Sequence, residues 1–148
     1  MSLHLLSKSG GVREAETREL LAKMKEKIPE EDYLVIGGTL NTKSANEPAL
    51  KILDEVIELG PFPEGPRGGK GTNASRKKPY DWVFADAELN QYKVQTEVGS
   101  RIFPNGIIFD SRVYGPLSDV APVERGDSGA PNMQHMAVVK DFLLYIQD

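Results

Sequence analysis

Two histidines, one aspartate and one asparagine stand where their side chains could do chemistry: His4, His135, Asp81 and Asn41. An imidazole changes charge near neutral pH, so it can take or give a proton or, once protonated, hold an anion. Asp81 lies between Tyr80 and Trp82 at the mouth of an apolar run. It is either a turn-capping residue or a buried carboxylate needing a donor, and His135 is the candidate donor. Asn41 follows a strand, where it reads as a ligand or as a turn residue. Thr39, two positions earlier on an extended segment, should face the same way as Asn41. The spacing narrows the chemistry further. Neither histidine sits in a His-x-x-x-His pattern, and no Gly-x-Ser-x-Gly or phosphate-cradling glycine loop is present. The chain has no cysteine, so a thiolate nucleophile is excluded and any metal must be held by oxygen or imidazole.

These residues need elements to bring them together. Leu3 to Leu6 reads as a short strand carrying His4. Val12 to Ile28 reads as a helix with Val12, Leu20, Leu21, Met24 and Ile28 on the core face and Arg13, Glu16, Arg18, Glu19 and Lys25 mostly elsewhere. Tyr33 to Ile36 reads as a central strand ending at Gly37-Gly38, where glycine admits a ligand or another backbone. Asn46 is the expected N-cap of a second helix that starts at Glu47-Pro48 and stops at Gly60-Pro61. Residues 61–79 form a long basic surface loop with Arg67, Lys70, Arg76, Lys77 and Lys78; it either solvates or contacts phosphate. Tyr80 to Ala85 is a strong strand. Shorter strands are expected around Tyr92 to Val98 and Ile107 to Tyr114, with a closing strand from Ala137 to Tyr145. Asp110, Asp119 and Asp127 fall in turn-rich sequence, where aspartate ordinarily bonds its own backbone.

Composition bounds the partners. A chain of 148 residues, 39% hydrophobic and 27% charged, fits one globular α/β domain over 1–148. No apolar run approaches the roughly 20 residues of a membrane span. Eighteen basic against 22 acidic residues, formally −4, argue against wholesale coating of nucleic acid, while a local contact through the basic loop stays open. Cysteine usage leans toward a cytoplasmic setting.

Taken in order, the motifs resemble a known superfamily. His4 on a strand, a helix, a strand running into Gly38-Thr39-Leu40-Asn41, a second helix, a variable loop, Tyr80-Asp81-Trp82-Val83, and His135-Met136-Ala137-Val138-Val139 resemble the carboxyl-terminal half of the endonuclease/exonuclease/phosphatase (DNase I-like) superfamily. That resemblance implies half of an α/β sandwich: one mixed sheet with helices on one face. It also implies a phosphoesterase dependent on Mg²⁺ or Mn²⁺, acting by in-line attack of water. His135 would be base or phosphate binder, Asp81 its orienter, Asn41 a positioner, and His4 an acid or phosphate contact. The family's Gly-Asp-Phe-Asn is here Gly38-Thr39-Leu40-Asn41, and its Ser-Asp-His is Met133-Gln134-His135. Two aspartates are thus replaced by neutral Thr39 and Gln134, which implies weak or no catalysis by this chain. The alternative is a degenerate relative that self-associates or binds a partner. Since the family's other sheet is missing, the resemblance implies either a homodimer or a missing amino-terminal half.

Overall fold

In the computed structural model, which describes residues 1–145, the chain is a mixed α/β protein of short strands and few helices. Strand β1 (Ser2–His4) pairs parallel with β2 (Val35–Thr39), and β2 pairs antiparallel with β3 (Asp81–Ala85). Helix α1 (Gly10–Lys27) supplies the crossover that two parallel strands require. Ser9 starts it, its hydroxyl accepting from the Val12 amide. Ile36, Trp82 and Phe84 turn to one face of this sheet and pack with Leu5, Met24, Leu40, Leu50, Leu53 and Ile57. Both α1 and α2 (Pro48–Leu53) therefore cover the same face.

Several expectations need correcting. Gly37 and Gly38 do not end the strand but lie inside β2. Gly38 has φ +140°, and a Cβ there would fall 2.1 Å from the Leu3 carbonyl oxygen. The close neighbour that demands glycine is therefore β1 itself. Helix α2 stops at Leu53, short of Gly60, and its N-cap is Glu47, with no side-chain cap bond. The Glu47 carboxylate is committed elsewhere. Arg13, expected on the solvent side of α1, is only 1% exposed and grips Glu47 through Nε and Nη2 at 2.7 to 2.9 Å. A bidentate Arg–carboxylate pair of this kind satisfies both buried charges and ties α1 to the start of α2.

The rest of the chain is α3 (Ala87–Asn90), β4 (Lys93–Val94), β5 (Thr96–Val98), β6 (Arg101–Phe103), β7 (Ile107–Phe109), β8 (Ala137–Val139) and β9 (Asp141–Phe142). A single mixed sheet was expected; the described residues form one three-stranded sheet and three two-stranded antiparallel ladders, β4–β9, β5–β6 and β7–β8. Strand β8 nevertheless lies beside β3. The strand expected to reach Tyr114 stops at Phe109, where the Asp110 carbonyl accepts the Val113 and Tyr114 amides in a turn. Residues 61–79 are also more than a solvated loop. Pro63, Gly65, Gly71 and Thr72 are buried, and Glu64 and Asn73 make isolated bridges to Ile107 and His135. No helix among the described residues is long and apolar enough to cross a membrane.

Candidate functional site

Strand register assembles the site. His4 stands opposite Thr39, and Thr39 opposite Asp81. Paired positions on neighbouring strands project to the same face, so the three side chains form a row on the side away from Ile36 and Phe84. His135 extends the row, its Nδ1 lying 2.9 and 3.1 Å from the two Asp81 carboxylate oxygens. The same carboxylate accepts the Thr39 hydroxyl at 2.7 Å, while the Asp81 amide donates to Thr72 Oγ1 at 2.8 Å. Thr72 is 1% exposed, so this clamp on the Asp81 backbone is dry.

That geometry fixes the ring. A carboxylate facing Nδ1 is best served when Nδ1 carries the proton, which leaves Nε2 as the basic nitrogen. The side chain of Asp81 is 12% exposed and that of His135 is 40% exposed, so the pair is anchored inside and open outside. Tyr80 borders the ring at a centroid distance of 6.1 Å. His4 is exposed at the far end of the row and makes no side-chain hydrogen bond with the described residues. Gln134 and Met133 are exposed beside His135.

Asn41 departs from the expected orientation. It has φ +53°, so the alternation that would align it with Thr39 ends at Leu40. Its amide nitrogen donates to the Leu5 carbonyl at 2.7 Å, and the residue is only 8% exposed. Asn41 thereby fastens the exit of β1 to the exit of β2. Two residues of β2's end, Leu40 and Asn41, both donate their amides to the Tyr80 carbonyl. This local bulge redirects the chain beside the row.

Sequence reasoning missed two contributors to the row. The Thr39 hydroxyl, expected only as the neutral replacement of an aspartate, bonds Asp81, and only the register places it there. Thr72 lies in a loop nine residues before its partner, with no periodicity to mark it. Asp110, expected as a turn residue, does accept the Arg112 amide at 3.0 Å, and in addition it is 1% exposed and bonded by Arg76 at 2.9 Å and by Arg112 Nε and Nη2 at 2.9 and 2.8 Å. Burial would raise its pKa, but the hydrogen bonds from Arg112 and the charges of Arg112 and Arg76 outweigh it and hold the carboxyl below its usual range. Asp127 does behave as a turn residue, accepting the Glu124 amide.

A cleft of about 730 Å³ lies elsewhere, between α1, the end of α2 and Asp86. Asp86 caps α3, Glu55 pairs with Lys25 and Glu58 accepts from Asn90, and no histidine lines this cleft. The polar row of His4, Thr39, Asp81 and His135 is therefore the better candidate for chemistry.

No family model and no curated protein matches this chain. Among solved structures it is similar to a crystal structure of beta toxin from Staphylococcus aureus, at 17% identity and a TM-score of 0.45. The alignment covers 70% of this chain and 47% of that one, so the chain spans about half the length of its neighbour.

Proposed function

We propose that this chain is a phosphoester-binding domain of hydrolase type, weak or inactive alone, with His135 as its reactive group. The Asp81–His135 contact at 2.9 Å carries the reading. A carboxylate that fixes the imidazole tautomer prepares Nε2 to take a proton from an attacking water. The same ring, protonated, would hold a phosphate oxygen through a charge-assisted bond. Thr39 acts on the carboxylate rather than on substrate, and His4 offers a second imidazole on the same face. Asn41 is assigned to positioning, through the Leu5 carbonyl.

The Mg²⁺ or Mn²⁺ implied by the family resemblance does not fit the donors this chain brings to the row. Hard divalent cations favour carboxylate oxygens. Thr39 and Gln134 are neutral, and the one carboxylate, Asp81, already serves His135 and Thr39. Further acids would have to come from another chain or segment. The half-buried Val35, Gly37 and Val83 lie on the same open face as the row, and a second copy of the chain is the proposed cover.

The neutral Thr39 also favours a second reading, a binding module without catalysis. Hydrolysis of bis(p-nitrophenyl) phosphate, with and without Mg²⁺ or Mn²⁺, separates the two. A rate that falls by about a hundredfold or more in His135→Ala supports the hydrolase. Equal rates in both proteins would remove it.

A further inference from the structure

The structured turn beside His135 has a surplus of positive charge that the row itself does not use. The Thr72 and Asn73 amides donate to the Lys78 carbonyl at 2.9 and 3.1 Å, and the Asn73 side-chain oxygen accepts the Lys77 and Lys78 amides at 2.9 and 2.8 Å. Gly71 packs on the turn so closely that a Cβ would lie 2.1 Å from the Arg76 carbonyl oxygen. On its other side the turn is joined to the site: Met136 donates to the Thr72 carbonyl at 2.7 Å, and Asn73 bridges His135. Lys78, Asn73 and His135 thus run side by side. Lys78 is thus joined to the site through Asn73, whose amide donates to the Lys78 carbonyl and which bridges His135.

The three basic residues of the turn divide by role. Arg76 bends back onto buried Asp110. Lys77 and Lys78 stay exposed, and among the described residues neither has a carboxylate within ion-pair distance. Two ammonium groups without a carboxylate partner therefore stand on the hydrogen-bonded turn that is joined to the His135 segment.

We propose that Lys77 and Lys78 are specificity-determining residues that seat a second anionic group of the phosphoester held at His135, so that the preferred ligand carries at least two phosphates. The proposal rests on the phosphoester reading of His135 and deepens it by naming the substrate class.

The test uses binding by the full chain, measured by calorimetry, so that it does not depend on turnover. Tripolyphosphate is expected to bind at least about tenfold more tightly than inorganic phosphate. The double variant Lys77→Gln/Lys78→Gln should lose that preference while keeping its affinity for inorganic phosphate within about twofold. A charge-matched control, Lys8→Gln/Lys51→Gln, should retain the preference; both of its positions are exposed. Loss of the preference in the turn variant alone supports the proposal even if no hydrolysis is ever seen, so failure of the catalytic reading is distinguishable from failure here. Equal affinity for the two ligands, or an equal loss in the control, overturns it at any hydrolysis rate. A single-stranded hexanucleotide that displaces tripolyphosphate supports a nucleic-acid source for the two phosphates, with a salt slope that falls by about 1.4 in the turn variant. Failure to displace supports a free polyphosphorylated compound.

Discussion

At the scale of single residues, the site depends on a carboxylate that answers to two donors at once. Asp81 receives the Thr39 hydroxyl and faces His135 Nδ1, so removing its charge should release the ring. In Asp81→Asn, nitrogen NMR of His135 should show a mixture of tautomers where the parent shows Nδ1–H, and any hydrolysis should fall by about a hundredfold or more. Thr39→Val should leave the tautomer in place and cost much less. Lys140 makes a different prediction. Burial, helped by the Lys93 ammonium and opposed by Glu58, lowers its pKa from 10.5 to about 8. The unfolded lysine keeps its proton to about 10.4, so the unfolded chain binds more protons between those values and stability rises with pH across that window. Below about 8 the charged lysine is a standing penalty. Lys140→Met should therefore raise the free energy of unfolding in urea at pH 7 by on the order of 1 kcal/mol, and give no gain at pH 11. Residue types were readable from the sequence: His4, Asp81 and His135 were found as candidates. Their hydrogen-bonding duties were not, because Thr39 and Thr72 reach Asp81 through register and loop path rather than spacing.

Elements set the precision of the row. Helix α1 was legible from the proline that follows it, and β2 and β3 from their compact apolar runs, although β2 continues through the glycines expected to end it. The short ladders after Ala87 were not: strands of two or three residues hold too few side chains for alternation to register, and single-residue breaks at Gln95 and Lys140 and the turn after Asp110 interrupt them. Arg13 was misjudged for a related reason. A helical wheel assigns charge to solvent, yet a bidentate partner on the next element makes burial affordable. The strongest element-scale test is Gly38→Ala. Its φ of +140° is hostile to an L side chain, and the new Cβ would strike the Leu3 carbonyl. Loss of about 3 kcal/mol or more is expected in chemical denaturation, since both strain and steric overlap oppose the β1–β2 pairing. A loss below about 1 kcal/mol would mean that β1 is not held in this register.

For the molecule as a whole, the two faces of the three-stranded sheet differ. One is sealed by α1 and α2; the other carries the polar row together with Val35, Gly37 and Val83. If a second copy covers that face, light scattering should report a dimer that Val83→Glu converts to monomer with little change in helical circular dichroism. A monodisperse monomer in the parent at micromolar concentration would discard the pairing. The α/β class was legible from the alternation of helix and strand, whereas the division into separate ladders needed coordinates. One consequence concerns folding order. Asp81 and His135 are 54 positions apart, so their meeting closes a long loop and must await the last quarter of the polypeptide. The entropic cost of that closure grows only logarithmically with length. A ligand that grips both sides would add to the work of opening it, so amide hydrogen exchange around His135 should slow on binding before exchange in α1 changes at all.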